Sequence, residues 1–339
     1  MNAQTKVNFI TDYYPFTNKA EIYITKGEFE NALEMYQKAF KNNTIGFSND
    51  YENALHCALK IDKINIALEY AKQIATKGFD LNHFKKYKCF EKLINSKEWI
   101  DFEKNYDKYY LKNANKFLID TLTKMANLDQ EYRIKNYPVE EVQKIDSTNI
   151  SNLISIFKKY GYPSEDIIGN QHLFSVILRH HYKTNNLRNR PFLDSLLFEA
   201  IKDGKVHNEN VVMNLTRQIE NSTWDKYRHN KFIIIQKVDT LVFKIFYSDN
   251  YIKEVDKIRA KIGLCNTKEL EQKLLFYYND ILYKKIDNFM EATISIYKQA
   301  HPFYFWVHSY ILYTPDAQYD FKQQTKSKKM IPIPNPNKK

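Results

Sequence analysis

Residues 18–40 read NKAEIYITKGEFENALEMYQKAF, and the alternation of small and large residues in this stretch decides the fold. Ala20, Tyr23, Gly27, Phe29, Ala32, Tyr36 and Ala39 recur at mostly three- and four-residue steps, with a glycine in the middle. Two short helices that approach closely at their alanines have this signature. Adding 35 to each number gives Leu55, Ala58, Asp62, Ile64, Ala67, Ala71 and Ile74. Adding 35 again gives Phe90, Leu93, Lys97, Trp99, Phe102, Tyr106 and Tyr109. A fixed spacing implies paired helices stacked so that each buries its face on the next, an architecture that suits binding better than chemistry.

In order and spacing these residues resemble a tetratricopeptide repeat, whose period is about 34 residues. The resemblance covers residues 18–111, with Ala20, Tyr23, Gly27, Ala32, Tyr36, Ala39 and Ala67 as the repeat-packing set. Gly27 is expected to end the first helix in the left-handed conformation, and Asp62 takes its place in the second repeat. The third repeat is degenerate, because Phe102 stands where a small residue belongs. The resemblance implies a protein or peptide partner, and Lys and Asn in the groove would suit an acidic one. The bland alternative is that the repeats only brace the next domain.

At 339 residues the chain exceeds a typical single domain. Its 7 glycines and 9 prolines disfavour a sheet-rich fold with many tight turns, so it reads as mainly α. The net charge of +11 invites a nucleic-acid reading, but six of those charges are lysines in an acid-free tail after Asp320. A nucleic-acid partner is therefore not expected. Cys57, Cys89 and Cys265 lie far apart and form neither a disulfide framework nor a thiolate metal site. Residues 1–16 lack a secretory apolar core, and no apolar run approaches the roughly 20 residues of a membrane helix. A cytoplasmic protein without a membrane partner is the expectation.

The chain divides into an N-terminal extension (1–17), the repeats (18–111), an α-rich domain (112–272), C-terminal helices (273–316) and a basic, unstructured tail (317–339). Within the α-rich domain an apolar stripe from Phe117 to Leu128 predicts a helix running into Arg133. Asp146-Ser147-Thr148-Asn149 reads as a capping segment before a helix at Ile150 that stops at Gly161-Tyr162-Pro163. Further helices are expected near 172–182, 191–202, 208–220 and 255–261, and one or two over 267–300. Phe232–Ile235 and Leu241–Phe246 are β-branched and aromatic, which predicts a small β-hairpin near 231–247.

The polar residues of the α-rich domain form an ordered series. It runs Asp129-Gln130-x-x-Arg133, Asp146-x-x-Asn149, Gly161-Tyr162-Pro163, His180 or His181, Arg217, Gln236 and Asp256-x-x-Arg259-x-x-x-Gly263-Leu264. This series resembles an uncharacterised bacterial family of domains of unknown function, members of which often follow tetratricopeptide-like helices. The resemblance implies an architecture and a residue set but no activity. Thr216 before Arg217 and Ile233-Ile234-Ile235 before Gln236 depart from the family pattern.

All seven arginines lie in this domain, against 44 lysines spread throughout, which suggests that the planar guanidinium fork is needed there. Asp129, Arg133, Asn149, Arg217, Gln236 and Arg259 are the candidate ligand-binding residues for an anion. Arginine–carboxylate pairs that knit helices together are the structural alternative. His180 and His181 are the candidates for acid–base work, with Asp146 to orient a partner. Being adjacent they point about 100° apart, make a poor metal pair, and are as readily satisfied core residues. No metal site, cofactor loop or nucleophile motif is visible. The aromatic run from Pro302 to Trp306 reads as core. The expected function is a non-catalytic, protein- or peptide-binding scaffold. The rival is an enzyme or small-molecule sensor with an anion-binding site in the α-rich domain.

Overall fold

The computed structural model describes residues 7–41, 45–169, 173–183, 189–216, 224–227, 232–237, 240–245, 249–273, 276 and 329–333. The chain is mainly helical. After α1 (Phe9–Asp12) come α2 (Tyr14–Thr25), α3 (Phe29–Ala39), α4 (Ser48–Lys60) and α5 (Ile64–Thr76). They stack in series, α2 on α3, α3 on α4 and α4 on α5. Ala20, Ala32, Ala39, Ala67 and Ala71 are buried at these contacts, where a missing side chain lets helices approach, and Tyr36 fills the space beside them. Each alanine methyl contributes only about 0.8 kcal/mol, while larger buried side chains such as Leu33, Leu55 and Ile74 contribute roughly 1.5–3 kcal/mol each.

The turns follow from backbone sterics. Gly27 has φ 75° after α2, and Asp62, 35 positions on, has φ 59° after α4. Asp is one of the few side chains that tolerate this region, because its short carboxylate can bond locally. The stack then degenerates into α6 (Leu81–Lys86), α7 (Glu91–Ile94) and α8 (Lys97–Lys104). Here bulky Phe84, Phe90, Leu93, Trp99 and Phe102 fill the core.

The second half is built on α9 (Lys116–Ile134) and α10 (Val139–Tyr160), followed by α11 (Glu165–Ile168), α12 (Ser175–Lys183), α13 (Arg190–Lys202) and α14 (Asn208–Thr216). The Asn115 side chain caps α9 by accepting from Leu118 N at 3.1 Å. The capping segment expected at Asp146–Asn149 is corrected by the structure, since α10 runs straight through it. Ser147 and Thr148 donate to the carbonyls of Gln143 and Lys144, both at 2.9 Å. Their hydroxyls thus bond back within the helix instead of capping a new one. Gly161, with φ 71°, ends α10 as its sequence implies.

Strand β1 (Phe232–Lys237) pairs antiparallel with β2 (Thr240–Ile245), with Ile234 opposite Phe243. The residues between them, 238 and 239, lie outside the described residues. Helix α15 (Asp249–Ala260) follows, starting six positions before the expected Val255. Strand β3 (Lys329–Ile333) pairs with β2, which corrects the expectation of a wholly unstructured tail. The N-terminal extension is corrected too, for α2 begins inside it. Phe9, Tyr13 and Tyr14 are buried in the second core with Leu122, Leu153 and Leu197. The expected helix to Ala300 lies mostly outside the described residues, and the aromatic run from Pro302 lies outside them altogether.

Candidate functional site

Four of the expected site residues meet. Asp129 and Arg133 stand one turn apart on α9, Asp146 faces them from α10, and His180 comes from α12. Arg133 Nη2 donates to both carboxylate oxygens of Asp146, at 2.6 and 2.9 Å. Its Nη1 lies 3.1 Å from Asp129 Oδ1 and donates to the Asp129 carbonyl at 3.0 Å. His180 Nδ1 lies 3.1 Å from the same Asp129 Oδ1, and Gln130 Nε2 donates to Oδ2 at 2.6 Å. Asp129 is fully buried, while the side chains of Arg133, Asp146 and His180 keep 26, 17 and 14 % of their exposure.

The electrostatics follow from these contacts. Burial pushes the Asp129 carboxyl up, but the His180 hydrogen bond and charge, with Arg133, outweigh it and hold the group below its ordinary range. Burial lowers the His181 imidazole, the Arg190 guanidinium lowers it further, and Asp146 opposes them. His181 is therefore kept neutral, buried behind the cluster. Ligand atoms of Asp129, Asp146 and His180 lie within 4.8 Å of one another, the donor set of a divalent cation. Arg133 spans that space and supplies the positive charge itself.

Asp146 orients a partner as expected, and that partner is Arg133, while Asp129 orients His180. With two carboxylates on it, Arg133 has its charge matched and is a poor clamp for a further anion. Two clefts in this half of the molecule are lined by other residues, one by Phe47, Tyr162, Phe174, Leu178 and His207, the other by Asn115, Tyr160 and Lys205.

Two further candidates are corrected to structural roles. Asn149 is buried and donates to the Met125 carbonyl at 3.3 Å, tying α10 to α9. Arg259 is fully buried and spends its donors on the Cys265 carbonyl (2.9 Å), the Tyr227 carbonyl (2.8 Å) and Glu209 (3.0 Å). An arginine fully buried and paired in this way is out of reach of a ligand. Gln236 stands in β1 opposite Leu241, and Arg217 lies outside the described residues.

The sequence reading passes over a second polar region, on α2. Thr17, Asn18, Glu21 and Thr25 line one side of that helix, and Gly263, Gln272 and Lys273 reach it. Asn18 Nδ2 donates to the Gly263 carbonyl at 3.0 Å, and Gln272 Nε2 donates to Thr25 Oγ1 at 2.6 Å. Lys273 Nζ donates to Asn18 Oδ1 at 3.3 Å and pairs with the Glu21 carboxylate. Both partners are buried, with side chains 2 and 9 % exposed. Phe276 packs on the core of the α2–α8 stack. Burial pushes the Glu21 carboxyl up while Lys273 pulls it back, and the carboxylates around Lys273 hold its ammonium charged.

Comparison of the chain with protein-family models, curated proteins and solved structures finds no match. No helix among the described residues is long and apolar enough to cross a membrane.

Proposed function

We propose that this chain is a non-catalytic, protein- or peptide-binding scaffold whose residues 18–111 are tetratricopeptide-like repeats. The observation that carries this reading is the Glu21–Lys273 pair, in which a repeat face already seats a helix from a distant part of the chain. Supporting it, Ala32 and Ala67 occupy equivalent positions 35 residues apart and are both fully buried. Panning a random-peptide library against the full chain, and against its Lys273→Ala variant, tests the reading. Hits that weaken about tenfold on Glu21→Gln or Asn18→Ala are expected. No hits on either chain, or hits indifferent to both substitutions, contradict it.

A second reading, an enzyme or small-molecule sensor, is favoured by the convergence of Asp129, Arg133, Asp146 and His180. In it Asp129 fixes the His180 ring through Nδ1, and Nε2 moves the proton. A thermal-shift screen of small polar metabolites is the test. A ligand that stabilises the wild type and not His180→Gln supports this reading, and a blank screen counts against it.

A further inference from the structure

The face of α2 has an occupant, and the chemistry of that occupant describes what else could sit there. We propose that the outside partner of this face is an amphipathic helix placing one lysine on Glu21, and that residues 267–273 are its built-in competitor. The inference rests on the scaffold reading and adds to it the class of partner and the manner of its control.

Selection for lysine follows from burial. Glu21 lies close enough to the buried Asp50 that its charge, after burial, helps push the Asp50 carboxyl up. A helix that covered Glu21 without bringing a cation would bury an unpaired carboxylate beside a second acid. Leaving a charge in that state costs far more than a paired one gains, so the face rejects neutral and acidic helices. Lys273 supplies the cation in the resting chain, and Leu270, fully buried, supplies the apolar anchor.

The contact is also built to be exchangeable. Among the described residues its polar contacts with α2 are those to Asn18, Glu21 and Thr25, and a buried ion pair roughly breaks even against its desolvation. Tethering keeps the segment seated, because a short connection gives it an effective concentration on the order of mM. Its helical start does not depend on α2. Asn266 Oδ1 accepts from Glu269 N at 2.9 Å and Asn266 N donates to Glu269 Oε2 at 3.0 Å, a reciprocal capping box. Thr267 donates through N and Oγ1 to Asp256 Oδ1 on α15, at 2.8 and 2.6 Å. With Cys265 held by Arg259 and Thr267 held by Asp256, this start stays in place while the turn that carries Gln272 and Lys273 can lift off α2.

A fluorescein-labelled peptide of residues 264–282, added to the full-length protein, tests this. The Lys273→Ala protein, whose own segment is loosened, is expected to bind the peptide about tenfold more tightly than the wild type, because more of it is open. The same peptide carrying Lys273→Ala should bind about tenfold more weakly. Gln272→Ala loosens the segment without stranding a charge and should give a smaller gain in the same direction. Hydrogen exchange of α2 confirms that each variant is folded. Equal binding by wild type and both variants, or no preference for the lysine peptide, overturns the proposal. Library hits that map to Glu21 and Asn18 yet need no lysine would end this inference and leave the scaffold reading standing. The absence of hits on both chains ends the two together.

Discussion

Asp50 is the residue most out of place by its chemistry. It lies fully inside the protein, accepting from the Tyr13 hydroxyl at 2.7 Å, and burial together with the Glu21 charge pushes its carboxyl up to about 8. A carboxyl raised in the fold keeps its proton there, while the unfolded chain releases it above about pH 4. Stability is therefore full below that value and falls by up to about 1.4 kcal/mol per pH unit as pH rises toward 8. Asp50→Asn should remove this slope, matching the wild type at pH 4 and exceeding it at pH 8 in urea unfolding. Equal slopes in the two proteins would contradict the burial argument. Asp62 is strained differently, by its backbone. Asp62→Gly relieves a positive φ and should raise stability by up to about 1 kcal/mol, read as a shift of the urea midpoint. A lowered midpoint would mean that the Asp62–Lys92 pair outweighs the strain.

At the level of elements, small residues decide how closely helices pack. Ala32→Trp puts an indole into a contact with no room, which costs roughly 1–3 kcal/mol or more. Melting of the stack should fall, and unchanged melting would show the register to be wrong. Between α9 and α10 the tie is electrostatic. Arg133→Leu removes the guanidinium shared by Asp129 and Asp146, while His180 and Gln130 stay on Asp129, and should cost about 1–3 kcal/mol in urea unfolding. Arg133→Lys should cost less but not nothing, since an ammonium cannot fork onto Asp146. Asp129 has the opposite pH signature to Asp50. Its lowered carboxyl stabilises the fold above about pH 4, and that stability is lost as pH falls through the folded value. The ends of α2, α4 and α10 were legible because Gly27, Asp62 and Gly161 mark them by backbone conformation alone. The course of α10 was not, because Asp146-Ser147-Thr148-Asn149 is a capping sequence locally and its helical state is set by bonds to Gln143, Lys144 and Arg133.

Over the whole molecule, what could be read from sequence is what repeats in sequence. The 35-residue offset carries Ala32 to Ala67, both fully buried, where a close helix contact demands a small residue. The same offset applied to polar positions carries Thr17 and Glu21 to Glu52 and His56, all four buried, and would have flagged this face as unusual. That Lys273 sits on Glu21 was beyond local reading, because most of the chain lies between them and neither residue's neighbours encode the contact. The convergence of Asp129, Arg133, Asp146 and His180 was partly legible as an ordered polar series. Asn149 and Arg259 belong to that series yet are satisfied inside helix contacts, so order in sequence did not separate site from scaffold. The claim that joins the two halves of the molecule is that residues 267–273 are seated on α2 by an acid–lysine contact. A double-mutant cycle of Glu21→Ala and Lys273→Ala, followed by urea unfolding, tests it most directly. The account predicts a coupling of about 1–3 kcal/mol between the two sites, whereas additivity within about 0.5 kcal/mol would contradict it.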